Sequence, residues 1–265
     1  MEERLPLIVD PRSERMRTIS SLGRRSFRAR KALLRVEGPQ AVRELVSCKE
    51  ERVRGLYATE AAAVRNANTW QRFAGARYLL DDRVARAVAP ESQGFIAVAE
   101  RAAIGGELEG QGPVVLLPGT QDPGNAGTII RNADAFGAAG VIACVGTVDL
   151  TSPKVIRMSA GSIFHLPVQT GVDFDEALRS MRESGRVILG ADGDGAPVSQ
   201  MGDQLSGPQA WVFGNEAAGL TPPEAKACDH LVSVPMSGAA ESLNVGVAAG
   251  ICLFLSQQAR GRMNS

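Results

Sequence analysis

VVLLPGTQDPGNAGTIIRNADAFG, residues Val114 to Gly137, sets the fold class of the second half of the chain. The apolar run Val114–Leu117 reads as a short strand. A polar, glycine-bearing loop follows. A helix then places Ile129, Ile130, Ala133 and Phe136 on its apolar side, with Asn125 as its expected cap and Arg131 pointing away from Ile129. The same alternation recurs downstream, with candidate strands Gly140–Val145, Arg186–Ala191, Ala210–Phe213 and Leu231–Val234. Unbroken apolar runs between helical patterns predict a parallel sheet covered on both faces. Such sheets bind ligands at the carboxyl ends of their strands, so the informative residues belong in the loops that follow them.

Two more loops fit that description. VFGNEAAGL (Val212–Leu220) places Gly214, which permits close backbone approach, and Glu216 at a strand end. VPMSGAAESLNVG (Val234–Gly246) leaves a strand and enters an apolar helix through Ala248, Ile251, Cys252 and Leu255, with Ser242 and Asn244 at its mouth. Each of the three loops, taken singly, is only a turn and a cap. GADGDG (Gly190–Gly195) lacks the following apolar helix of a dinucleotide-type glycine loop and reads as a surface turn.

Upstream of Val114, Ile104–Pro113 (IGGELEGQGP) carries four Gly and one Pro and reads as a linker. The charge balance changes at the same place. Residues 1–100 hold 19 Lys/Arg against 13 Asp/Glu, while 101–265 hold 10 against 16, so zero net charge conceals a basic half and an acidic half. Short strands at Leu33–Val36, Val53–Ala58, Ala76–Leu80 and Gly94–Ala99, with helical stretches between, predict a small α/β domain. Its most basic run, Arg15–Arg35, has eight cations and no acid, the pattern that attracts polyanions by counterion release. Arg24, Arg25, Arg28, Arg30 and Lys31 are its candidate RNA contacts. The competing reading is a solvated helix face.

With 44% hydrophobic and 22% charged residues, the composition is that of a globular chain and excludes collagen, a coiled-coil rod and pervasive disorder. Four scattered cysteines make no disulfide framework. The longest apolar run, Val245–Leu255, falls short of the about 20 residues needed to cross a bilayer. The opening MEERLPLIVD has no basic n-region, so the expectation is a cytoplasmic protein without membrane association. Cys228 and His230 have no second pair, and no metal is expected. No Walker A sequence is present.

In order and spacing, the three loops resemble the signature motifs of the SpoU/TrmH family of RNA ribose 2′-O-methyltransferases. SAGSIFHLP (Ser159–Pro167) resembles that family's intermediate motif, and FRARKALLRVEGPQAVRE (Phe27–Glu44) the start of its ribosomal-protein-like substrate-binding domain. The resemblance implies an RNA-binding domain over 1–103, a linker over 104–113 and a catalytic domain over 114–265. That second domain would be an α/β knot: a parallel sheet with a deep trefoil knot. The resemblance further implies S-adenosylmethionine as cofactor and a homodimer whose site is completed across the interface. Gly214, Val234 and Leu243 match the family's cofactor-binding positions, and Met236 shares their loop. Asn125, Arg131, Glu216, Ser242 and Asn244 match those grouped around the reaction. Gly246 departs from the family, which often has Ser there.

Methyl transfer to a ribose hydroxyl needs in-line positioning and loss of the hydroxyl proton. Arginine stays protonated, so Arg131 is assigned to clamp the adjacent phosphate and to stabilise developing oxyanion charge. The family's proposed alternative makes Arg131 the base. Ser242, Asn125 and Asn244 would hold loops and ribose, and Glu216 would orient Arg131 or a neighbour. The expected substrate is large-subunit (23S) rRNA. A tRNA substrate, a non-catalytic RNA-binding role and a small-molecule methyltransferase are the alternatives.

Overall fold

A computed structural model describes residues 5 and 7–263; the start of MEERLPLIVD lies partly outside them. The chain forms two compact units, Met1–Ile104 with Thr151–His165, and Gly105–Leu150 with Leu166–Ser265. Thr151–His165, expected within the catalytic domain, packs with the N-terminal unit instead.

The N-terminal unit contains β1 (Leu7–Ile8), β2 (Leu33–Glu37), β3 (Val53–Ala58), β4 (Arg77–Leu80) and β5 (Phe95–Glu100), ordered β1-β4-β3-β5-β2. β1, β4 and β3 run parallel, and β5 is antiparallel to both β3 and β2. Its helices are α1 (Glu14–Ser21), α2 (Arg25–Lys31), α3 (Pro39–Lys49), α4 (Glu60–Arg65), α5 (Ala67–Arg72), α6 (Asp82–Val88) and, from the returning segment, α8 (Pro153–Met158). Alternation along β5 sends Ile96 and Val98 into a core with Met16 and Ile19 of α1 and Val84 and Val88 of α6, while Phe95 meets Trp70.

Two arginines of the basic run are structural. Arg28 is only 2% exposed and donates to the carbonyls of Leu22 and Gly23 and to Thr151 Oγ1. Its assignment as an RNA contact is therefore corrected: its guanidinium satisfies carbonyls left open just past the end of α1. Arg35 Nη1 donates to the carbonyls of Ile19, Ser20 and Val88, serving the last turns of α1 and α6 together. Its Nη2 pairs at 2.7 Å with Glu37, which is buried and also receives Arg157 of α8 at 2.8 Å. Burial pulls the Arg35 guanidinium below its usual value, while the Glu37 carboxylate opposes that shift.

The second unit is a six-stranded, all-parallel sheet. Its strands are β6 (Val114–Leu117), β7 (Gly140–Cys144), β8 (Val168–Val172), β9 (Val187–Pro197), β10 (Gln209–Phe213) and β11 (His230–Ser233), ordered β11-β9-β10-β6-β7-β8. Val114, Leu116, Ala210 and Val212 pack on one face against α9 (Phe174–Glu183) and residues of α10 (Pro222–Ala227). Trp211 points to the other, where its Nε1 donates to Ser256 of α11 (Val245–Met263). α7 (Pro123–Ala135) packs beside α11.

Two strand expectations need correction. β8 has no counterpart among the expected strands, because Gln169, Thr170 and Gly171 give an edge strand no apolar signal. GADGDG is not a surface turn but the middle of the long β9, which pairs with β11 after a register shift at Leu231/Val232. A Cβ on Gly195 would lie 2.5 Å from the Val232 nitrogen, so the glycine is required by backbone approach.

Removing Glu37 strands two guanidinium groups. Glu37→Ala is expected to cost about 3 kcal/mol or more of unfolding free energy in urea titration, whereas a loss below about 1 kcal/mol would mean that solvent screens the network.

Candidate active site

The strand order reverses between β6 and β10, from which the chain runs outward in both directions. Crevices in parallel sheets open at such a reversal, and the loops after β6 and β10 flank this one. Asp122, not Asn125, caps α7: its Oδ1 accepts from the Asn125 N–H at 2.9 Å, with Pro123 at the first helical position. The Asn125 side chain is thereby free to reach outward.

It reaches both other loops. Asn125 Nδ2 donates to Glu216 Oε1 at 3.2 Å, and its Oδ1 accepts from Asn244 Nδ2 at 2.8 Å. Glu216 also accepts the backbone N–H groups of Gln121 (3.1 Å) and Asp122 (3.0 Å). Partial burial would raise the Glu216 pKa, but these N–H donors and the Asn125 amide outweigh it and hold the carboxyl below the usual range. Glu216 is thus an ionised acceptor that orients Asn125 rather than Arg131. Asn244 turns its Oδ1 to the N–H groups of Gly246 and Val247, capping α11.

α7 and α11 come close enough for this chain to form because two glycines face α7. A Cβ on Gly246 would sit 3.0 Å from Thr128 Cγ2, and one on Gly250 would sit 2.9 Å from Asn132 Nδ2. Asn132 Nδ2 donates to the Gly246 carbonyl at 2.9 Å. Thr128 thus accounts for glycine at position 246. Asn132 is absent from the residues expected at the site; its contact with Gly246 spans two helices 114 residues apart, and no local sequence pattern marks it.

A cavity of about 440 Å³ opens beside these loops, lined by Gly214, Glu216, Val234, Met236, Ser242 and Leu243. Gly214 has no room for a Cβ, which would overlap the Gly219 carbonyl; the turn is closed by paired hydrogen bonds between Asn215 and Gly219 at 2.9 Å. Asn215 Nδ2 also donates to the Gly119 carbonyl at 3.0 Å, a second link between the first two loops that sequence reasoning missed. The β9 residues Asp192 and Asp194 complete the wall, so the segment expected to be a surface turn belongs to the site.

Arg131 stands apart. It is exposed on α7, six residues and about 120° of helix rotation from Asn125. Among the described residues it makes no hydrogen bond or ion pair. In the N-terminal unit, Arg24, Arg25, Arg30 and Lys31 are exposed, with Arg24 and Arg30 over the Phe27 ring at 5.9 and 5.0 Å. Among the described residues no group of three His, Cys, Asp or Glu could hold a metal ion, and no helix is long and apolar enough to cross a membrane.

Comparison with known proteins places this geometry. The chain is 40% identical over 141 residues to the 23S rRNA (guanosine-2′-O-)-methyltransferase RlmB of Nitrosomonas europaea, covering 53% of this chain and 54% of that protein. It is 34% identical over 176 residues to the RlmB of Bordetella pertussis, covering 63% and 71%. The match thus spans about half the length of the first relative. Among solved structures, the SpoU methyltransferase AviRb of Streptomyces viridochromogenes, in complex with AdoMet, superposes with a TM-score of 0.80 at 28% identity, covering 96% of this chain and all of that one. Residues 112–254 match the model of the SpoU rRNA methylase family, and the chain belongs to that family.

Proposed function

We propose that the chain transfers a methyl group from S-adenosylmethionine to a ribose 2′-hydroxyl of structured RNA, with large-subunit rRNA as substrate. The observation that carries this reading is the Glu216–Asn125–Asn244 chain, which binds three loops from distant parts of the sequence beside one cavity. The RlmB relatives support the rRNA assignment.

The cavity suits the cofactor. It has the volume of a small-molecule site, and its walls carry Asp192, Asp194, Glu216 and Glu241 with no Lys or Arg. That lining favours a ligand bearing sulfonium and ammonium charges. Gly214, Val234, Met236 and Leu243 would hold it, and when bound it supplies an electrophilic methyl.

The chain's own residues supply positioning and charge. Glu216, kept ionised, fixes Asn125; Asn125 fixes Asn244; and Ser242, on the cavity wall two residues before Asn244, is placed to hydrogen-bond the ribose. Among the described residues Arg131 has no partner to leave, so it presents an unspent guanidinium, suited to a phosphate next to the target ribose and to the charge developing on the attacking oxygen. The exposed apolar residues Val247 and Phe254 on α11, with Phe136 at the C-cap of α7 edge-on to Phe254 at 5.7 Å, support a homodimer through this pair of helices. The same reading includes the trefoil knot and a cytoplasmic location.

Arg131→Ala is expected to reduce methyl transfer from labelled S-adenosylmethionine into unmodified rRNA by about 10²-fold or more, with cofactor affinity unchanged because Arg131 lines no part of the cavity. Retention of most of the rate would remove Arg131 from the mechanism. Replacing Arg24, Arg25, Arg30 and Lys31 together by Ser is expected to weaken RNA binding. It should also flatten the dependence of log affinity on log salt, by about 0.7–0.9 for each phosphate that is no longer neutralised. An unchanged slope would make the run a solvated face.

A further inference from the structure

The N-terminal unit has a second cavity, of about 360 Å³, remote in sequence from the basic run. It lies where the parallel strands β3 and β4 end and lead into α4 and α6, the edge at which parallel strands present ligand sites. Its wall includes Arg65, the last residue of α4, and Arg86 of α6, with Ala61 and Pro90 supplying exposed apolar surface. The wall also includes the turn at Gln93 and Gly94, both in the left-handed region (φ 54° and 76°). Gly94 is pressed onto the cap of α4: a Cβ there would lie 2.8 Å from Thr59 Oγ1. A non-glycine residue in the left-handed region is uncommon and costs energy that the surrounding packing must hold.

Several neighbouring arginines of this unit are paired with carboxylates. Arg52 and Arg54 share Glu100, Arg43 pairs with Glu44 and Arg83 with Asp81. Arg65 and Arg86 form no ion pair among the described residues. Arg65 donates to the Gln93 carbonyl at 3.4 Å, which steadies its guanidinium plane at the cavity wall. Two such cations beside an apolar wall fit a group that is both anionic and flat. The one carboxylate of the lining, Asp82, opposes a bare anion but accepts hydrogen bonds from the amino or imino N–H of a base.

The geometry points to a binding pocket for one unstacked nucleotide of the RNA substrate, its base against Ala61 and Pro90 and its phosphate toward Arg65 and Arg86. This rests on the RNA-directed reading above and deepens it. The basic run supplies sequence-blind attraction, while this pocket requires a nucleotide that has left its helix. Single-stranded loops and bulges offer such nucleotides, and guanidinium planes are among the surfaces on which their bases stack.

The test is fluorescence anisotropy of the full chain with a labelled single-stranded 20-nucleotide RNA and with the same RNA in a duplex. Arg65→Ala/Arg86→Ala is expected to lose about tenfold in affinity for the single strand and no more than about twofold for the duplex. Arg83→Ala, an exposed neighbour outside the lining, is the control and should change neither. The double variant alters exposed side chains, so its melting profile should match the parent. Loss no greater than that of Arg83→Ala, equal loss on single strand and duplex, or full competition by inorganic phosphate alone would each overturn the pocket. Failure of the unaltered chain to bind either RNA would instead overturn the RNA-directed reading itself.

Discussion

A single carboxylate organises the loops of the parallel-sheet unit. Glu216 accepts two backbone N–H groups from the loop after β6 and the side-chain amide of Asn125, so the loops after β6 and β10 share one acceptor. Asn125 passes the constraint to Asn244, which caps α11. Every member of this relay is polar and lies near the mouth of the crevice, where only mutual hydrogen bonding gives the loops defined positions. Charge-assisted bonds to an ionised carboxylate are stronger than neutral ones, which suits Glu216 as the anchor. The depressed pKa of Glu216 keeps the anchor intact at neutral pH and weakens it only in acid, as the carboxylate protonates.

The N-terminal unit divides its cations between two uses. Arg28 and Arg35 are buried and spend their donors on the open carbonyls at the ends of α1 and α6, with Glu37 balancing the charge that burial would otherwise penalise. Arg24, Arg25, Arg30 and Lys31 remain at the surface. A count of charges along the chain sees one continuous basic run. The burial of β2 on both faces and the α2 face directed at the end of α1 decide which charges reach solvent.

The parallel sheet is legible in the sequence because buried central strands write themselves as unbroken apolar runs: β6 matches its expected span to the residue, and β7, β10 and β11 match to within one residue at each end. β8 is not legible, because an edge strand with one wet side needs no such run. β9 is cut short at Ala191, since Asp192–Gly195 looks like a turn wherever its partner strand is unknown. Among the residues lining the cavity, Gly214, Val234 and Leu243 can be singled out from a motif because such loops depend on local backbone shape. Asn132 and Asn215 cannot, because their roles exist only across helices and loops that tertiary packing brings together. Thr151–His165 shows the same limit at the scale of a domain: its association with the N-terminal unit is carried by Arg157 and Glu37, 120 residues apart.

The central claim is that these three loops direct a methyl group to a ribose oxygen. The most direct measurement is mass spectrometry of nucleosides from unmodified large-subunit rRNA incubated with the full chain and isotopically labelled S-adenosylmethionine. The account predicts label on the ribose of one nucleotide, with the adjacent phosphodiester resistant to alkaline cleavage because its 2′-oxygen is blocked. Label on a base, or none in RNA that the chain demonstrably binds, would contradict it.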